Sequence, residues 1–271
     1  MDAVRIVSAA LAARSLATEV AQYVHTQTMN LLSLVNQADS GYVIKNHMLM
    51  YPAEWMLDKD VAEAIAKDKP LVRKCITEGV PDDLTPDQLS ILPLAQHRGH
   101  DIYTMPLFSA EFIKAIQSEI ENIQKHSSFE VNPDEAEEVQ IEEFVLRNKC
   151  PGWYLSMLQL FLSHINVVIG ALYGRIMSSG VIQLANYNPR GIQQTSWHHD
   201  GDADFTLVVP LNTGEYEGGG TEFFNRGSVP ALPNGHALIF PAQGMMHRGM
   251  PVESGDRYLL VFWMRRKNDD A

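Results

Sequence analysis

The sequence predicts a mainly β protein with flanking helices, built as a double-sheet jelly roll and preceded by a helical N-terminal extension. Two observations carry this. Beyond Gly180 the chain breaks into strand-length apolar runs cut by Gly, Pro and Asn: Val181 to Tyr187, Asp204 to Leu211, Thr221 to Phe224, His236 to Phe240 and Tyr258 to Met264. Ahead of them the apolar residues recur at helical steps, and this segregation favours one sheet-based domain over alternating crossover units. The boundary falls after residue 95, giving an extension over 1–95 and the main domain over 96–271.

Taken in order, Val20, Val24, Leu31 and Val35 space out as a helix near the start. Residues 58–95 mix short helical signals with the turn Gly79-Val80-Pro81-Asp82-Asp83. The run Ile102 to Phe108 reads as a strand leading to Ser109, a good N-cap, after which Phe112, Ile116, Ile120 and Ile123 form a helical stripe. The acidic run Asn132 to Glu143 reads as an exposed loop. Trp153 to Met177 is apolar enough to suggest a membrane span. Its Ser156, Gln159, Ser163 and Asn166 nevertheless share one helical face, which predicts an amphipathic helix covering a sheet.

Composition bounds the partners. The chain has 271 residues, 45% hydrophobic and 20% charged, the range of an ordinary globular protein. Its net charge of -12 opposes phosphate backbones and anionic lipid, so neither nucleic acid nor membrane is an expected partner. Cys75 and Cys150 fit no disulfide or metal spacing, Arg14 interrupts the apolar stretch Ile6 to Ala13, and a cytoplasmic location without a secretory signal is expected.

The chemistry gathers late in the chain. In Trp197-His198-His199-Asp200, residues two apart on an extended strand project to one face, so His198 and Asp200 can share a metal ion, while His199 points away as a packing or supporting residue. His247, in Met245-Met246-His247-Arg248-Gly249, supplies a third ligand. Two histidines and one carboxylate leave coordination positions open, as non-haem iron oxygenases require. Arg257 follows at the head of an apolar run, where its planar guanidinium suits a dicarboxylate ligand. Two other clusters carry less. Asp200, Asp202 and Asp204 lack the Gly and Glu of a calcium loop, and His97, His100 and Asp101 sit in a polar, surface-like setting. Phe205, Leu207 and Phe240 are candidates for the apolar wall of the site.

Taken together, His198-His199-Asp200, Glu217-Gly218-Gly219-Gly220, His247-Arg248-Gly249-Met250-Pro251 and Gly255-Asp256-Arg257-Tyr258 resemble the catalytic domain of the procollagen lysyl hydroxylases and, more loosely, that of the prolyl 4-hydroxylases. A fainter likeness runs through Asp101 to Ser109, so the resemblance covers about residues 100 to 266. It implies a double-stranded β-helix fold, iron(II) held by His198, Asp200 and His247, and 2-oxoglutarate held by Arg257 and by Tyr187 of Ala185-Asn186-Tyr187-Asn188-Pro189. It further implies O2 as co-substrate, ascorbate as an accessory reductant, a homodimer, and hydroxylation of a lysyl side chain in a peptide or protein. A prolyl residue or a free amino acid is the alternative substrate, and a non-catalytic jelly-roll binding module is the alternative of another class. Thr221 departs from the family, whose animal lysyl hydroxylases carry a cysteine there.

Overall fold

Period-two burial organises the structure. In the strand Arg257–Arg265, Tyr258, Leu260, Phe262 and Met264 pack to one side of the sheet, while Arg257, Leu259, Val261 and Trp263 face the other. The computed structural model describes residues 42–79, 84–137 and 139–266. The expected helix carrying Val20 to Val35, and most of the turn after Gly79, lie outside the described residues.

The strands are β1 (Gln96–Gly99), β2 (Ile102–Pro106), β3 (Glu130–Val131), β4 (Glu142–Val145), β5 (Ser179–Tyr187), β6 (Phe205–Pro210) and β7 (Glu217–Gly218). They continue as β8 (Thr221–Phe223), β9 (Gly227–Val229), β10 (His236–Pro241), β11 (His247–Gly249), β12 (Val252–Ser254) and β13 (Arg257–Arg265). Eight of them form one antiparallel sheet in the order β1-β2-β10-β6-β13-β5-β4-β3. The pair β12-β7 and the trio β11-β8-β9 make up the smaller second layer. This is the jelly roll with flanking helices that the spacing predicts, and all five expected strands form.

Three helices cover the outer face of the large sheet: α1 (Lys59–Glu78), α2 (Ala110–His126) and α3 (Pro151–Tyr173). In α2 the Ser109 hydroxyl accepts from the Phe112 amide at 3.0 Å, and Phe112, Ile116, Ile120 and Ile123 are buried, as their spacing requires. Residues 58–78, read as short helical pieces, form a single helix capped by Asp58, and residues 42–95 contribute to the same core as α2, α3 and the sheet.

Three expectations are corrected. The polar stripe of α3 faces solvent only in part: Gln159 is exposed and Ser163 half-buried, but Ser156 and Asn166 are buried, and Asn166 clamps the chain reversal at Met177 through two hydrogen bonds, 2.7 and 2.9 Å. A π-helical turn at Phe161–Ile165 interrupts the 3.6-residue period there and shifts the polar positions. The acidic run is exposed only in its middle, because its end pairs as β4 with β5 and turns Glu143 inward. Phe205 and Leu207 sit in the core beneath the helices, since on β6 it is the alternate residues Thr206 and Val208 that face the site. Phe240 does line the site.

Candidate metal centre

His198, Asp200 and His247 converge. One ligand atom from each lies within 4.8 Å of the others, with His198 Nε2 at 3.5 Å and His247 Nε2 at 3.6 Å from the Asp200 carboxylate. The route differs from a shared strand. His198 stands outside the named strands and reaches β11 through a single antiparallel bridge, in which its N–H and C=O exchange hydrogen bonds of 2.9 Å with those of His247. The remaining aromatic neighbours, Phe223 and Phe240, pack against His247.

Backbone carbonyls set both tautomers. His198 Nδ1 lies 2.8 Å from the Ser196 carbonyl and His247 Nδ1 lies 2.9 Å from that of Met245. A carbonyl only accepts, so each Nδ1 carries the hydrogen and each Nε2 turns a lone pair toward Asp200. Two lone pairs facing a carboxylate repel one another, and a divalent cation between them removes that repulsion. The residues therefore fit a metal of the iron(II) type. Burial opposes the charged form of both imidazoles. A protonated His198 would donate from Nε2 to Asp200, and this bond with that to Ser196 outweighs burial and raises the pKa, whereas at His247 burial prevails and the pKa falls. Burial also works against ionisation of Asp200, but the Thr206 hydroxyl, and the two imidazoles whenever they are protonated, favour the carboxylate and hold its pKa below the ordinary value.

Arg257 lies at the start of β13, paired in register with Tyr187 on β5, its guanidinium carbon 5.4 Å from the centre of the Tyr187 ring. It is 4% exposed, yet its Nε and Nη1 have no hydrogen-bond partner among the described residues. A buried guanidinium with two unmet donors calls for an anionic acceptor. Both residues line the same inner cavity of about 60 Å3 as the three metal-ligand candidates, together with Thr206, Val208 and Thr221. Two glycines make room. A Cβ at Gly219, whose φ is +73, would stand 3.0 Å from Arg257 Cδ, and one at Gly249 would stand 3.2 Å from the Tyr187 hydroxyl. The Tyr187 phenol has its pKa raised by burial, with Arg257 acting in the opposite direction.

The inner cavity adjoins an outer one of about 770 Å3, walled by β4, β5, β13, residues 132–135 and Val139. His199 faces this outer space and is exposed, so it does not pack as expected. His97, His100 and Asp101 are exposed. Cys75 and Cys150 are both free thiols. Sequence reasoning did not single out Thr206, Gln183 or Glu143. The period-two parity of β4, β5 and β6 relative to Asp200 and Tyr187 was the available signal.

No protein-family model matches the chain. Over 176 residues it is 26% identical to the 2-oxoglutarate and iron-dependent oxygenase domain-containing protein 2 of Xenopus tropicalis, covering 60% of this chain and 49% of that relative. Over 176 residues it is 24% identical to the Homo sapiens procollagen-lysine,2-oxoglutarate 5-dioxygenase 2, covering 59% of this chain and 23% of the relative. The chain thus spans half or less of the length of these curated relatives. Among solved structures, a Trichoplax adhaerens prolyl hydroxylase in complex with a peptide fragment of the hypoxia inducible factor oxygen degradation domain is similar with a TM-score of 0.52 at 12% identity, over 79% of this chain and 96% of that one. That likeness shows the shared jelly-roll fold.

Proposed function

We propose that this chain is an iron(II)- and 2-oxoglutarate-dependent dioxygenase that hydroxylates a side chain of a peptide or protein. The observation that carries the reading is the buried Arg257 guanidinium, whose Nε and Nη1 lack an acceptor among the described residues, in the same small cavity as His198, Asp200 and His247. A bare metal site would not need it. The named activities of the two curated relatives support the same reading. The catalytic domain comprises residues 96–271, with 1–95 as a helical extension.

In this reading the Nε2 atoms of His198 and His247 and the Asp200 carboxylate hold the metal, and their small number leaves positions open for exchangeable ligands. Arg257 donates to the far carboxylate of 2-oxoglutarate, and the Tyr187 ring supports its guanidinium. Val208, Leu259, Val261 and Phe240 line the cavity with hydrocarbon and keep water from the reacting centre. When bound, iron(II) with 2-oxoglutarate and O2 supplies the oxidising power that puts one oxygen atom into a substrate C–H bond and the other into succinate, with release of CO2.

A lysyl side chain is the first substrate choice, supported by the likeness to a procollagen-lysine dioxygenase and by the acidic outer cavity. A prolyl substrate is the second, supported by the likeness to a prolyl hydroxylase with a bound peptide. The test is succinate release from 2-oxoglutarate in air, with iron(II) and ascorbate, across Lys- and Pro-containing peptides. Mass spectrometry should find a product heavier by one oxygen atom. Normal succinate yield from His198→Ala, Asp200→Ala or His247→Ala would refute the ligand assignment, and no turnover by the unaltered protein would leave a binding module as the better reading.

A further inference from the structure

The outer cavity contains a carboxylate for which the metal chemistry has no use. Glu143 projects from β4 into it, is only 9% exposed, and forms no ion pair among the described residues. The cations of the cavity wall are engaged elsewhere: Lys149 lies 2.8 Å from Glu130, and Arg265 lies 2.9 Å from Asp202. Gln183 faces the same space from β5, is 1% exposed, and has an Nε2 without a hydrogen bond of normal geometry among the described residues. Two polar side chains, each more than nine-tenths buried, thus face one cavity, Glu143 beside Gln183 but without a counter-charge among the described residues, an arrangement that costs stability unless a cation completes it.

Electrostatics agree with this placement. Burial, and then the charge of Glu135, push the Glu143 pKa up to about 7, with Gln183 beside it acting in the opposite direction. The exposed Glu135 lines the same cavity as Glu143, as do His198 and Asp200. The acidic wall therefore borders the metal centre.

We propose that Glu143, with Gln183 beside it and Glu135 lining the same cavity, is the recognition site for a cationic group of the substrate side chain, an ammonium or a guanidinium. An incoming cation gives the buried carboxylate the counter-charge it lacks. A half-turn of the Gln183 amide offers that cation its carbonyl oxygen as a second acceptor. A neutral prolyl ring would give this buried acid no partner, so the same residues select against it. The inference rests on the oxygenase reading only for the chemistry after binding.

The test is therefore a binding measurement that needs no turnover. Capped pentapeptides with a central Lys, Arg, norleucine or Pro are titrated calorimetrically into the full chain loaded with Mn(II) and 2-oxoglutarate under nitrogen. The Lys or Arg peptide should bind at least about tenfold more tightly than the norleucine peptide, the strength of a charge-assisted hydrogen bond. Glu143→Gln, which keeps the shape and removes the charge, should bring that ratio close to one, and Glu143→Asp should retain part of it. Equal or undetectable binding across the panel, or an undiminished ratio in Glu143→Gln, overturns the proposal. Failure of the oxygenase reading would register separately, as absent succinate release in air from a protein that still discriminates by charge.

Discussion

Asp200 faces both histidines at once, Oδ1 toward His198 and Oδ2 toward His247, and the buried Thr206 hydroxyl donates to that second oxygen. The hydroxyl fixes the carboxylate rotamer, so its loss should loosen the ion without touching it. Thr206→Val, equal in shape, is expected to weaken Mn(II) or iron(II) affinity by about 10- to 100-fold, and Thr206→Ser to restore it. Competition against a coloured chelator reads this directly, and unchanged affinity in the valine variant would remove Thr206 from the site. Glu143 carries a different expectation. Its folded pKa is raised from 4.5 to about 7, so the folded state binds this proton more tightly than the unfolded chain does. The resulting stability is fully present below about pH 4.5 and is lost as the pH rises through about 7. Thermal melts of Glu143→Gln against the unaltered protein should coincide near about pH 4.5 and diverge by about pH 8, with the variant the more stable by at most about 3 kcal/mol. A constant difference across that range would show that Glu143 titrates normally.

Among the elements, the glycine loop between β7 and β8 illustrates how a short segment serves a distant side chain. Gly219 has φ +73, and an added Cβ there would meet Arg257 Cδ at 3.0 Å and Tyr216 Cε2 at 3.1 Å. Gly219→Ala should therefore raise the KM for 2-oxoglutarate as well as lowering the melting temperature. At Gly214 the φ is +100 and a Cβ meets nothing within 4 Å, so Gly214→Ala should lower stability by about 1–2 kcal/mol while leaving that KM alone. Equal KM values for the two variants would sever the loop from Arg257. The glycine run and the residues it serves are legible in the sequence, as are His198, Asp200, His247 and the capped helix after Ser109, because residue type and short-range spacing specify them. Thr206, Gln183 and Glu143 are not. Each looks like an ordinary strand or loop residue until the parity of its strand is fixed by pairing across the sheet, with Glu143 opposite Ala185 and Val208 opposite Val261. The burial of Ser156 and Asn166 on α3 escaped for a related reason, since periodicity identifies a face without saying what covers it.

At the scale of the described molecule the large sheet divides labour: its helix-covered face holds the main hydrophobic core, and its inner face holds the candidate metal centre and Arg257. Because Arg257 and the three ligand candidates open onto one cavity, a keto acid that touches both should depend on the metal for its grip. Mn(II) and 2-oxoglutarate together are expected to raise the melting temperature by several degrees, on the order of 3 kcal/mol at a hundredfold excess over Kd. 2-Oxoglutarate alone should do little, and EDTA should reverse the gain; a melting temperature indifferent to both ligands would count against the shared site. The bridge between the two imidazole-bearing segments has its own effect. Since His198 and His247 each give and take one backbone bond with the other, neither can swing out alone. They act as a latch with two halves, whose amide protons should exchange with solvent in one concerted opening, and that opening sets how fast an ion can escape.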